Sequence, residues 1–322
     1  MNSKFKFLAL AIFMIFFNLQ TKASSVLLPM DDEGQQNHLK AYGITYWALA
    51  KSYKVNWLLN YRGGSFLLPD GDDIRKECQI RGVSFEVLTD GATAAILEEI
   101  SSPSQNMETV VLEKAPKIAV YTPKGKQPWD DAVTMVLTYA EIPYTEIYDE
   151  EVLSDQLVLY EWLHLHHEDF TGQYGKFFGN YRNAPWYIQQ KLDSEALAKK
   201  LGFNKVSEEK RAVATKIRDY VIGGGFMFAM CSATDSFDIA LSAESTDICE
   251  PMFDGDASEP NYQAKIDYTN TFAFKDYILE KQPMKYEFSD IDTTEDHGKG
   301  SFSMEVDYFT LMDFSAKWDP IP

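Results

Sequence analysis

The chain is short of cysteine, with three in 322 residues, and short of positive charge, with 30 Lys and Arg against 49 Asp and Glu. Each shortage excludes something. Three cysteines cannot build a dense disulfide framework, and an odd number leaves at least one thiol unpaired in an oxidising compartment. A formal net charge of −19 repels nucleic acid and anionic membranes, so neither is expected as a partner. Internal repeats are missing. So is a phosphate loop: Thr171-Gly172-Gln173-Tyr174-Gly175-Lys176-Phe177-Phe178-Gly179 has neither the glycine spacing nor the terminal Lys-Ser/Thr. The apolar run Phe7 to Phe17 is too short for a comfortable membrane span.

What is present suits a large core: 45% hydrophobic and 14% aromatic residues, enough for one or two domains. Residues 1–23 read as a secretory signal peptide, with Lys4 and Lys6 before the apolar run and Thr21-Lys22-Ala23 at the cleavage positions. The mature protein is therefore expected to be secreted, in the periplasm, with no stable membrane span. The alternative is an uncleaved N-terminal anchor. The chain stops at Trp318-Asp319-Pro320-Ile321-Pro322 without a closing helix, and the expectation is that the reading frame continues.

Residues 24–112 are expected to form an N-terminal α/β region and 113–322 a second domain, with Ser101–Asn106 the best linker. In the first part, 24–36 read as an extended lead-in. Helices are expected over His38–Lys51, Asp72–Arg81 (with Asp72 as N-cap) and Thr93–Ile100. Strands are expected over Val55–Tyr61, Ser65–Leu68 and Val83–Leu88. In the second part, strands are expected over Lys117–Thr122, Tyr144–Tyr148, Leu157–Leu165 and Gly225–Met230. Helices are expected from Pro128 to Ala140, over Trp186–Leu201 and over Glu208–Ile222. Repeated strand–helix units point to a doubly wound, mostly parallel sheet. Further strands are expected over Met284–Ser289 and Phe302–Leu311.

The most informative segment is Gly223-Gly224-Gly225-Phe226-Met227-Phe228-Ala229-Met230-Cys231-Ser232-Ala233-Thr234-Asp235. It reads as glycine turn, buried strand, sharp bend at Cys231 and a new helix near Asp235. Such a bend projects its side chain at the carboxyl edge of a sheet. It also aims free helix N–H groups at that side chain, which favours a thiolate and a neighbouring oxyanion. The plain alternative is a buried core cysteine. Cys78 and Cys249 are open to a disulfide with each other, or to remaining inert thiols.

Trp162-Leu163-His164-Leu165-His166-His167-Glu168-Asp169-Phe170 holds three of the chain's five histidines. His164 and His166 share a strand face and His167 points the other way if the strand persists. Three readings stay open: a general base beside Cys231, a metal site of His164, His166 and Glu168, or a hydrogen-bonded strand end. The aromatic loop 171–179 suits a lid or an ordinary surface loop. Arg62, in Tyr61-Arg62-Gly63-Gly64, suits a carboxylate or a hairpin turn. His297 stands in an exposed loop.

Helix–Gly-Gly-Gly–strand–Cys231–helix resembles the nucleophile turn of class I glutamine amidotransferase-like proteins, over Lys117 to about Ala243. The segments 28–43 and 163–170 resemble secreted Bacteroidetes-type proteins often labelled asparagine synthetase B. The resemblance implies a flavodoxin-like sheet and a Cys–His–acid triad with Cys231 as nucleophile. The family's flanking glycines are Ala229 and Ala233 here, and His297 is not in its His-x-Glu pattern. Position 2 is Asn2, not the N-terminal cysteine of the synthetase, and the synthetase's ATP-binding loop is missing. The expected catalytic set is therefore Cys231, His166, His167 and Glu168, with substrate contacts from Ser232, Gly224, Gly225 and Tyr174. A small-molecule or peptide amide is the expected substrate, without cofactor or metal. The alternatives are a non-catalytic envelope ligand-binding protein on the same fold and a metal-dependent hydrolase.

Overall fold

The computed structural model describes residues 23–123, 132–291 and 315–317. The expected leader, the helix start at Pro128, His297 and the strand over Phe302–Leu311 lie outside the described residues. The chain forms two compact units. The first comprises residues 1–115, 136–142 and 311–322, and the second residues 116–135 and 143–310.

In the first unit, strands β1 (Ala23–Leu28), β2 (Val55–Leu59), β3 (Phe66–Pro69), β4 (Glu86–Thr89) and β5 (Glu108–Leu112) form one sheet. Its order is β4-β1-β3-β2-β5 and every pairing is antiparallel. The extended lead-in is thus an inner strand. Val26-Leu27-Leu28 is apolar without alternation because both faces of the strand are covered. Val26 and Leu28 pack in one cluster with Ile44 of helix α1 (His38–Ala50) and Ile74 of helix α2 (Asp72–Arg81). Leu27 packs in another with Ile100 of helix α3 (Asp90–Ser101). Asp72 is not the cap: Gly71 holds that position, and Asp72 and Asp73 sit in the first turn, where they favour the helix dipole. The residues just past Ser101–Asn106 pair as β5 along β2, a strand the sequence reading missed.

In the second unit, β6 (Ile118–Tyr121), β7 (Tyr144–Ile147), β8 (Trp162–Leu165) and β9 (Phe226–Ala229) form a wholly parallel sheet, ordered β7-β6-β8-β9. All four residues of β6 are buried, as an inner parallel strand requires. The connection from β6 to β7 carries α4 (Ala132–Ala140), whose residues from Val136 onward are counted in the first unit, and the later connections carry α5 (Asp149–Leu153), α6 (Phe178–Tyr181), α7 (Pro185–Lys200) and α8 (Val206–Ile222). Helix α9 (Ala233–Ser242) follows β9. Leu163 and Leu165 of β8 pack with Val213 and Ile217 of α8 and Phe237 of α9. The protein is therefore α/β with an antiparallel sheet and a parallel sheet.

Two expected strands are corrected. Leu157–Leu165 is not one long buried strand. Asp155 takes a left-handed φ of +61°, a 3-10 turn follows at Gln156–Leu159, and β8 begins only at Trp162. Val158 and Leu159 are exposed, so this apolar run was a turn followed by a strand, which periodicity cannot separate. Met284–Ser289 is not a strand either; a single bridge joins Leu279 and Ser289. Cys78 and Cys249 are both buried free thiols, so the disulfide between them is not formed. Among the described residues, no helix is long and apolar enough to cross a membrane.

Candidate functional site

Register places the expected residues before any side chain is considered. Leu165 of β8 lies opposite Ala229 of β9 in a parallel pair. His166 and His167 are therefore one and two residues past one strand, and Cys231 is two residues past its neighbour. Both groups stand at the carboxyl edge of the sheet, where open parallel sheets bind ligands.

Cys231 is exposed and has a φ of +56°. A non-glycine residue in that left-handed region carries strain, of the kind that gathers at functional turns. The bend is held from both sides. The Met230 N–H donates to Leu165 O, and the Cys231 carbonyl accepts from Thr234 N and from Thr234 Oγ1 at 2.7 Å. Ser232 Oγ donates to His167 O at 2.9 Å, and Ala233 N donates to His166 O at 3.2 Å. The cysteine turn and the histidine turn are thus fastened backbone to backbone. Ser232 immediately precedes α9, where backbone amides lack intrahelical acceptors. The Ala233 amide is already engaged by His166, so Ser232 N–H is the donor best placed for an oxyanion.

The strand ends at Leu165, so alternation does not carry on to His167. His166 and His167 are neighbours, their rings 4.6 Å apart and their Nδ1 atoms at 3.2 Å. The Glu168 side chain is buried and accepts from His166 N at 3.3 Å. His164 is also buried, stacked on Phe228 with ring centroids 5.7 Å apart.

The structure brings Cys231, Ser232, His166, His167 and Glu168 to one edge. Tyr174 joins His167, Glu168 and Asp169 around a cleft of about 40 Å³. Cys231 is not part of that lining. Gly224 and Gly225 do not join the site. They enter β9 from its amino end and line a separate groove with Tyr160, Lys216 and Tyr220. Gly225 has a packing reason: a Cβ there would meet the Tyr220 ring at 2.2 Å. Arg62 is paired with Asp31 at 2.7 Å and Glu86 at 2.7 Å, so it holds its own loop.

Among the described residues, the grouping that could hold a cation is Asp247, Cys249 and Asp254, not His164, His166 and Glu168. Lys205 Nζ already sits there, 2.6 Å from Asp247 and 3.2 Å from Asp254. The sequence reading missed it although the three residues lie within eight positions, two of them just before α10 (Pro251–Asp254) and Asp254 at its end.

Beneath the cleft lies a buried polar knot that sequence reasoning also missed. Lys210 of α8 donates to Asp149 at 2.7 and 2.8 Å, to Tyr121 OH at 2.9 Å and to Tyr148 OH at 3.0 Å. Burial alone would pull the Lys210 pKa down, but Asp149 outweighs it and holds the ammonium well above its usual value. Burial pushes the Tyr121 and Tyr148 hydroxyls up. Glu209 is 1% exposed and its Oε1 makes no hydrogen bond among the described residues. Burial, together with the Asp149 charge and against the pull of Lys210, raises its pKa from 4.5 to about 8. The folded protein therefore keeps this proton between those values while the unfolded chain has released it. Stability from Glu209 is fully present below pH 4.5 and is lost as pH rises through about 8. Glu209→Gln should flatten that part of the stability–pH curve, measured by urea unfolding from pH 5 to 9; an unchanged slope would contradict the assignment.

In comparisons with family models, curated proteins and solved structures, nothing matched this chain.

Proposed function

We propose that this protein is a secreted, cysteine-dependent amide hydrolase or amide-nitrogen transferase. In this reading its second unit is a flavodoxin-like, class I glutamine amidotransferase-like domain. The observation that carries the reading is Cys231: an exposed thiol at φ +56° on a strand-to-helix turn, fastened to the His166-His167 turn through Ser232 and Ala233. Its sulfur would attack the amide carbonyl carbon. The Ser232 N–H would stabilise the oxyanion, and His166 or His167 would take the thiol proton and return it to the leaving nitrogen. The C–N bond breaks, ammonia or an amine departs, and water or an acceptor amine releases the thioester. Glu168, bonded to the His166 amide, would position the histidine turn. The expected location is the periplasm.

The test is the alkylation rate of Cys231 against pH, read by mass spectrometry beside Cys78. Burial pushes the Cys78 thiol up to about 11, so it serves as an internal slow standard. An activated Cys231 should label fast below the ordinary thiol pKa of about 8.5. Labelling of Cys231 only above that value would refute the thiolate role. One observation favours a second reading, a ligand-binding protein on the same frame: the cleft is lined by His167, Glu168 and Tyr174 without Cys231.

A further inference from the structure

We propose that Asp247, Cys249 and Asp254 form a site for a thiophilic divalent cation of the zinc class, which enters in exchange for the Lys205 ammonium. The inference is independent of the thiol chemistry, because Cys231 supplies no ligand here.

The chain builds the donor set within one turn. Asp247 Oδ1 accepts from the Cys249 N–H at 2.9 Å, and Cys249 is buried in a cluster with Tyr174, Val206 and Phe253. Phe253 anchors α10 in that cluster, and Asp254 ends the helix. One ligand atom from each of Asp247, Cys249 and Asp254 lies within 4.8 Å of the other two. Tetrahedral zinc bonds of about 2.0–2.3 Å hold ligand atoms roughly 3.5 Å apart. Closing on an ion therefore asks each atom to move less than about 1 Å, which side-chain rotation supplies.

Three features set the group apart from an acidic surface patch. The first is a buried carboxylate short of partners. The Asp254 side chain is 4% exposed, and neither of its oxygens is hydrogen-bonded. Such a group is costly to bury unless a cation compensates it. The second is a cation already in place. Lys205 Nζ lies 2.6 Å from Asp247 Oδ2 and 3.2 Å from Asp254 Oδ2, and it also bonds Asp256. Asp256 is exposed, so Lys205 can stay with it while the inner carboxylates take the ion. The third is sulfur, which selects the metal. A neutral thiol is a weak acceptor and adds little to an ammonium. Zinc takes thiolate and carboxylates together, whereas calcium and magnesium take oxygen alone. The Cys249 thiol now donates to Thr171 O at 3.3 Å. On binding, the S–H bond breaks, the metal–sulfur bond forms and the proton goes to solvent.

Titration of the whole protein with Co(II), read by the sulfur-to-metal charge-transfer band, tests the site. The band should saturate at one ion per chain, should persist in Cys231→Ala, and should be lost on adding Zn(II) but not Mg(II) or Ca(II). Cys249→Ser should lose it, and Asp254→Asn should weaken Co(II) at least about tenfold. Lys205→Met should tighten Co(II) at least about tenfold, because the competing ammonium is gone. A band that vanishes in Cys231→Ala, survives Cys249→Ser, or yields to Mg(II) would overturn the proposal, as would weaker binding in Lys205→Met. So would the absence of a saturable band in the unmodified protein, whether or not any variant folds.

Discussion

Cys231→Ala is expected to remove amide turnover, by at least about a thousandfold in kcat, while leaving the protein folded. The two halves of that expectation have separate grounds. Loss of turnover follows if the sulfur makes the covalent bond, since alanine has no atom to replace it. Retained folding follows from exposure and conformation. Cys231 is at the surface, and alanine at φ +56° carries the same left-handed strain as cysteine. The hydrogen bonds that hold the bend run through the backbone and through Thr234 and Ser232, none of which the substitution removes. The measurement is ammonia release from a panel of amides, with unfolding midpoints beside it. Cys231→Gly adds a control. It relieves the strain, so it should raise stability by about 1 kcal/mol while losing the same activity. Any amide turnover that survives Cys231→Ala would show that the thiol is not the nucleophile. The ligand-binding reading would then stand.

The second large effect is expected at Asp149. Its side chain is 1% exposed and that of Lys210 is 5% exposed, so the pair is closed off from water. Asp149→Ala would leave the Lys210 ammonium buried with only tyrosine hydroxyls and Glu209 near it. Breaking a buried pair from one side costs about 3–5 kcal/mol, far more than an exposed pair, because the remaining charge keeps its desolvation penalty. Glu209 lies beside the vacated position; without the Asp149 charge it would lose its proton to solvent at a lower pH than before, and its carboxylate would then face the Lys210 ammonium. The loss should therefore be larger in Asp149→Ala combined with Glu209→Gln than in Asp149→Ala alone, by urea unfolding at pH 7. A loss below about 1 kcal/mol in Asp149→Ala would mean that water reaches Lys210 and that the knot is not sealed.

Helix and strand alternation, the bend at Cys231 and the histidine cluster at a strand end were all legible in the chain. Each of these is a local matter. A triple glycine, an apolar run and a small-residue turn act within a dozen residues, and the backbone answers to them directly. Length misled where apolar residues ran on, as at Leu157–Leu165, because a 3-10 turn and a strand can share one composition. The antiparallel sheet of the first unit was settled by tertiary contacts: β2 and β3 are a local hairpin, but the other three pairings join residues 38 or more positions apart, as in Val55 with Leu112. Tertiary packing also decided which polar groups meet. Tyr121, Asp149 and Lys210 carry no shared spacing in the chain, and they converge because β6, the start of α5 and α8 pack around one point. Gly224 and Gly225 went the opposite way: close to Cys231 in sequence, they stand at the other end of a four-residue strand. Neighbourhood along the chain fixes local bends, while the company a buried charge keeps depends on which elements the core draws together.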